Sequence, residues 1–280
     1  MSKTLLIAED DEPNRVAFRD ALTADGYHVI AVRDGAAALD AIKHEEVSLL
    51  LTEYKLPDIT GAQLLEQAKE LQPDLLTIVM TGESKPDAVL NALRSKAVDF
   101  LSKPFMIEEL LEAVGDAMGR TNGGEIEIIS AKPDWLEIHV PCDLSAVEPI
   151  NRFICKLQPN LPQQTREAIS QVFREMLNNA IEHGGKCDPS KKVEVKCVHL
   201  KRMILCSIKD PGEGFDLNEL EHAAVSNPDE EPFRHLHVRQ EKGIRPGGFG
   251  ILFALQLVDE LIYNEKHNEL IFVKYLNEES

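Results

Sequence analysis

Cysteine is sparse and never paired at metal-binding spacing. Five of 280 residues, Cys142, Cys155, Cys187, Cys197 and Cys206, stand singly with no CxxC. An odd count without that spacing argues against a disulfide framework and against a zinc site, so reduced thiols are expected. Long apolar runs are missing too, and none approaches the roughly 20 residues needed to span a bilayer, so no membrane partner is expected. The N-terminal "MSKTLLIAEDDEP" reaches acidic residues after a short apolar stretch. It lacks the apolar segment and small-residue cleavage site of a secretory signal, which makes the cytoplasm the expected location. Positive charge is scarce: 30 Lys and Arg against 48 Asp and Glu leave a formal net charge of -18. With no basic stripe to offset it, such a chain repels a phosphate backbone, so direct nucleic-acid binding is not expected. Metal ions and cationic protein surfaces remain open as partners.

What is present is a globular balance, with 43% hydrophobic and 28% charged residues over a length that predicts two domains. From residue 4 short apolar runs such as "TLLIA", "YHVIAV", "VSLLLTE" and "LLTIVMT" alternate with amphipathic segments such as "PNRVAFRDALTAD" and "GAQLLEQAKEL". This alternation predicts an α/β unit, a parallel sheet covered on both faces. "GRTNGG" at 119–124 cannot continue a helix cheaply and marks a boundary. The expected division is a first domain over 1–120, a linker over 121–133 and a second domain over 134–280. The second half predicts strand "WLEIHVPCD", helices "SAVEPINRFICKL" and "PQQTREAISQVFREMLNNAIEH", paired strands around a turn near Lys201, helix "FGILFALQLVDELI", and a final hairpin. Strands and helices without strict alternation indicate an α+β layer, with helices on one face of a mixed sheet.

In an open parallel sheet, ligands bind beyond the carboxyl ends of the strands. Glu9 and Asp10 follow "TLLIA", Glu53 follows "LLLT", Thr81 follows "TIVM" and Lys103 follows "DFLS", so these side chains are expected to converge. Gathered carboxylates repel unless a cation joins them, and an oxygen-only set suits Mg²⁺. Lys103 and the Thr81 hydroxyl would supply charge and a donor to a phosphoryl group. At these residues the chain resembles a bacterial response-regulator receiver with a flavodoxin-like fold. The matching features are an acidic pair after the first strand, an acceptor four residues before the Pro of "KLPDITG", Thr81 after the fourth strand, and "KP" after the fifth. The resemblance implies that Glu9 and Asp10 are metal ligands and that Phe100 is a switching aromatic.

The acceptor position departs from the receiver pattern, which has aspartate there. Glu53 reaches one methylene further, roughly 1 to 1.5 Å, and misplacement on that scale costs on the order of a hundredfold in an in-line transfer. Asp58 lies in the loop beyond Pro57 and does not replace it. The expectation is a receiver outside the usual phosphorylation cycle. Either Glu53 reaches Lys103 and imitates the phosphorylated form with about one negative charge in place of nearly two, or the domain serves for docking or dimerisation.

A second constellation lies downstream. "FREMLNNAIEHGG" sets Glu175 and Asn179 at i and i+4 on one helix face, where a carboxylate can act as base and an amide can hold a metal over a phosphate chain. In "IKDPGEGFD", Asp210 can accept a hydrogen bond from an adenine amino group, while Gly212 and Gly214 let backbone approach the base. "RPGGFGILFALQLVDEL" puts Gly247, Gly248 and Gly250 at a helix start, where free N–H groups receive phosphates.

These three elements resemble the N box and two glycine boxes of the GHKL (Bergerat) ATP-binding fold over roughly 134–280. Among its members the closest pattern is the anti-sigma factor serine kinase, because "PCDLSAVEPINRFI" leads into the site with no phosphoacceptor-histidine hairpin before it. His183 reads as a helix-end residue. The resemblance implies Glu175 as catalytic base, Asn179 as Mg²⁺ holder, Asp210 as adenine reader, and a lid over about 218–246. Arg239 and Arg245 are candidates there for the terminal phosphate, and His235 and His237 read as solvated lid residues. The expected activity is ATP-dependent protein serine/threonine phosphorylation of an anti-anti-sigma (STAS) protein. A sigma factor or other regulator is the competing partner, the atypical receiver is the regulator, and a homodimer is the expected assembly. The alternative is a non-catalytic ATP-sensing module.

Overall fold

The computed structural model describes residues 3–82, 86–119, 126–157, 161–214 and 250–276. The chain divides into two compact units, 1–122 and 123–280. The first holds strands β1 (Thr4–Ala8), β2 (His28–Val32), β3 (Leu49–Glu53), β4 (Leu76–Thr81) and β5 (Asp99–Ser102). They alternate with helices α1 (Glu12–Ala24), α2 (Gly35–His44), α3 (Gly61–Leu71), α4 (Pro86–Arg94) and α5 (Ile107–Gly119). Strand order is β2-β1-β3-β4-β5 and every pairing is parallel. Leu5–Ala8 of β1 and Leu49–Leu51 of β3 are unbroken apolar runs because both faces are covered: Leu5, Ile7, Leu49 and Leu51 pack on Phe18 of α1 and Leu110 and Val114 of α5. Leu6 and Leu50, of opposite parity, are equally buried.

Local chemistry sets the helix starts. Asp11 accepts from Asn14 N–H at 2.9 Å, with proline in the first turn of α1, and Asp34 accepts from Ala37 N–H at 2.9 Å to open α2. Thr60 and Gln63 close a reciprocal capping box on α3.

The second unit is a six-stranded sheet backed by helices. It runs β6 (Glu127–Lys132), β7 (Trp135–Pro141), α6 (Val147–Lys156), α7 (Gln163–Asn179), β8 (Lys192–Leu200), β9 (Met203–Lys209), α8 (Gly250–Leu257), β10 (Glu260–Tyr263) and β11 (Glu269–Tyr275). The order is β10-β11-β9-β8-β7-β6. Helix α7 packs against α6, α8, β9 and β11, which makes it the centre of the helical layer. Its face of Ile169, Val172, Phe173, Met176 and Leu177 is buried.

Four expectations are corrected here. The sheet is antiparallel at every described pairing, not mixed, because β6–β7, β8–β9 and β10–β11 are hairpins and β7–β8 and β9–β11 also run antiparallel. The segment 121–133, expected as a linker, contains β6, whose alternating residues pair with β7 along the sheet edge. The last helix stops at Leu257, and Glu260–Tyr263 turns extended because it pairs with β11. Cys197 and Cys206, expected as thiols, stand directly opposite each other in β8 and β9 with Cα atoms 4.2 Å apart and form a disulfide. No helix among the described residues is long and apolar enough to cross a membrane.

Candidate functional site

The parallel sheet brings the first constellation together at its carboxyl edge. Glu9 follows β1, Glu53 ends β3, Thr81 ends β4 and Lys103 follows β5. Backbone bonds fix their heights: Tyr54 N–H donates to Met80 O and Lys103 N–H to Thr81 O, each at 2.7 Å. The Lys103 ammonium donates to Glu9 Oε2 at 2.6 Å and also pairs with Glu53 Oε2. The other Glu53 oxygen accepts Tyr54 N–H at 3.0 Å. Thr81, at the end of β4, and Phe100, in β5, are buried. Asp10 is exposed, and its carbonyl and that of Glu9 accept from the Arg15 guanidinium at 3.1 and 2.8 Å.

Burial pushes the Glu9 carboxyl above its ordinary range, and the Lys103 contact reverses only part of that. Burial also works against the Lys103 ammonium, but its bonds to Glu53 and Glu9 outweigh it and raise its pKa. Among the described residues no group of three or more His, Cys, Asp or Glu side chains is placed to hold a metal. Of the carboxylates expected around Mg²⁺, Glu9 and Glu53 are bridged by the Lys103 ammonium, and Asp10 is exposed. Each Glu53 oxygen has a partner, Tyr54 N–H for one and the Lys103 ammonium for the other.

Asp58 is committed elsewhere. Its Oδ1 accepts from Gly35 N–H at 2.9 Å and Ile59 N–H at 3.0 Å, and its Oδ2 from Ala36 N–H at 2.8 Å. Its slight burial is outweighed by these donors and its pKa is lowered. The loop after Glu53 is thereby tied to the N-terminus of α2. The Tyr54 hydroxyl accepts from the Asn91 amide at 2.9 Å, a second tie, to α4.

In the second unit, Glu175 and Asn179 lie one turn apart on α7, both half-buried. The helix passes directly into a π-helical turn, Ala180–Gly184. Such wide turns accompany functional sites, and this one lays Gly184 on the Asp210 side chain so closely that a Cβ would overlap the carboxylate. Gly212 N–H donates to Asp210 Oδ1 at 2.7 Å, and a Cβ on Gly212 would sit 2.8 Å from that oxygen. Burial raises the Asp210 pKa, opposed by the Gly212 bond. Gly214 has φ +87° against the Lys266 carbonyl, where no side chain fits. These glycines were expected to admit a base; Gly212 and Gly214 are required by the protein's own packing as well. Gly250 opens α8 directly against the Glu175 carboxylate. Arg239, Arg245, Gly247, Gly248, His235, His237 and the segment 218–246 lie outside the described residues.

Sequence reasoning missed Gly184, Arg15, the Tyr54–Asn91 bond and the contacts of the β10–β11 turn. Gly184 carried a readable signal in "EHGG" just after Asn179. Arg15 bonds carbonyls only five and six residues before it, but no motif marks it, and the partners of the remaining two are remote in the chain.

Two families match. Residues 5–115 match the response regulator receiver domain, and residues 140–274 match the histidine kinase-like ATPase domain. The response regulator receiver protein CpdR of Brucella abortus is 37% identical over 116 residues, covering 40% of this chain and 93% of that protein. The response regulator protein FleR of Pseudomonas aeruginosa is 34% identical over 143 residues, 49% of this chain and 30% of FleR. The transcriptional regulator NtrC of Proteus hauseri is 35% identical over 112 residues, 40% of this chain and 24% of NtrC. The chain therefore spans less than a third of those two larger proteins. A CheY-like receiver structure from Methanospirillum hungatei aligns with 30% identity and a TM-score of 0.41 over 42% of this chain and 94% of that one. The chain belongs to the response regulator receiver family, its receiver domain fused in one polypeptide to a histidine kinase-like ATPase domain.

Proposed function

We propose that this protein is an ATP-dependent serine/threonine kinase of the anti-sigma type, acting in a cytoplasmic partner-switching pathway on an anti-anti-sigma (STAS) protein. A sigma factor or other regulator is its second partner, and the assembly is a homodimer. The carrying observation is that Glu175 meets Gly250 at the first turn of α8, one turn from Asn179 on the same helix. A helix start is a phosphate-receiving position, and a carboxylate beside it is placed to take a proton from an attacking hydroxyl. Asp210, in its glycine seat, offers an acceptor for a base amino group. Asn179 would hold Mg²⁺, which neutralises phosphate charge when bound. In the transfer the substrate hydroxyl oxygen bonds to the terminal phosphorus, its proton passes to Glu175, and ADP leaves with the bridging oxygen.

The receiver supports a regulatory role for its unusual acceptor. Glu53 already meets Lys103, a contact that favours imitation of the phosphorylated form over a docking module.

The test is transfer of label from ATP to candidate STAS proteins. Parent protein is expected to label one of them, and Glu175→Ala to bind ATP while losing at least a hundredfold in rate, on the order of a lost general base. Binding by the parent without transfer to any candidate would favour an ATP-sensing module instead.

A further inference from the structure

We propose that the β10–β11 turn positions the base-reading carboxylate, with Asn268 as its positioning residue and preference for adenine over guanine as the result. The proposal rests on reading the second unit as an ATP site. The Asp210–Gly214 loop leaves β9 through Pro211, which fixes only its own φ, and two glycines, which leave the backbone free to adopt several conformations. What holds it is the turn. Asp210 N–H donates to Asn268 O at 2.9 Å, and the Asn268 amide donates to Asp210 O at 3.4 Å and Gly212 O at 3.3 Å. One residue therefore grips both backbone ends of the segment whose Gly212 N–H orients the Asp210 carboxylate.

Asn268 is itself held. The Asn264 amide donates to Asn268 Oδ1 at 2.8 Å, and Asn268 N–H donates to Asn264 Oδ1 at 3.1 Å. Asn264 N–H bonds Glu269 O and His267 N–H bonds Asn264 O, each at 3.0 Å, so the turn is closed before it reaches the loop. Gly214 then lies against the Lys266 carbonyl with no room for a side chain.

Discrimination follows from where the carboxylate points. An adenine amino group donates to it, whereas guanine presents a carbonyl oxygen at the same place and is repelled. A carboxylate free to swing away would lose the first interaction and relieve the second.

The experiment uses the full chain with a fluorescent ADP analogue displaced by ATP or GTP, in the parent, Asn268→Ala and Asn268→Asp. Aspartate keeps the oxygen that accepts from Asn264 and lacks the amide that holds the loop. Both variants are expected to bind ATP about tenfold more weakly and GTP within about twofold of the parent, the scale of one lost orienting hydrogen bond. Any fall in melting temperature is expected to be similar in Asn268→Asp and Asn268→Ala, and to leave the loss selective for ATP. An unchanged ATP:GTP ratio in Asn268→Asp, or an equal loss for both nucleotides that tracks a fall in melting temperature, overturns the role of Asn268 alone. A parent that binds neither nucleotide overturns both this role and the kinase reading.

Discussion

Lys103 joins two carboxylates that could not otherwise share a buried edge. Its side chain is 18% exposed and that of Glu9 is 1% exposed, so the pair sits where removing one partner of an ion pair costs about 3–5 kcal/mol. Lys103→Met is expected to destabilise the receiver by about 3 kcal/mol at pH 7, and by less toward acid pH, where Glu9, whose pKa burial raises, takes up a proton. The alkaline side has a definite sign. Because the folded-state pKa of Lys103 lies above the ordinary 10.5, its contribution is fully present below 10.5 and is lost as pH rises through the raised value. Urea midpoints followed by circular dichroism from pH 5 to 11 are expected to fall at the alkaline end in the parent and to lack that lysine component in the variant. Residues of this kind were legible in the sequence, since strand ends in a parallel sheet converge by topology alone. Their contacts were less so: the sequence gathered Glu9, Asp10 and Glu53 around a metal, whereas Lys103 spans two of them and Asp10 faces outward.

At the scale of elements, hairpin register decided what the sequence reading left out. The turn near Lys201 was foreseen, and Cys197 and Cys206 are equidistant from the Lys201–Arg202 pair, so their cross-strand meeting follows from β8–β9 pairing. Counting cysteines without pairing the strands hid it. Protein prepared without reductant is expected to show three titratable thiols after denaturation, Cys142, Cys155 and Cys187, not five. In the native protein Cys187 alone is expected to react quickly, because burial pushes the Cys142 thiol up to about 11 and raises that of Cys155 as well. Ellman titration before and after denaturation checks both numbers. Strand β6 was missed for a related reason: "EIEIIS" alternates with period two, but the preceding Gly-rich stretch drew the whole segment into a linker. The Asp210 loop lay at the far limit of legibility. Its motif was visible, while the residue gripping it, Asn268, lies 58 positions away and belongs to a turn that carries no motif.

For the whole molecule, the receiver and the ATPase each have their own sheet and core. A signal reaching one has to be chemically available to it first. With Glu53 in the acceptor position, acetyl phosphate is expected to leave the parent unmodified and its nucleotide turnover unchanged. Glu53→Asp is expected to form a hydroxylamine- and alkali-labile acyl phosphate, detected as a mass increase of roughly 80 Da for added HPO₃, and to change turnover in its presence. An adduct on the parent at Glu53 would sink this reading. The two-part plan itself was legible from alternation and composition, because parallel and antiparallel sheets impose different rhythms on a chain.

The seat around Glu53 also has a genetic consequence. Glutamate and aspartate codons differ only in the third base, and the seat already contains Lys103, Thr81, the Tyr54 amide and the clamped Asp58 loop. A single nucleotide substitution would therefore place aspartate at position 53. If Glu53→Asp takes up phosphate as predicted, a selection that rewards coupling to phosphoryl donors would be expected to recover that codon first.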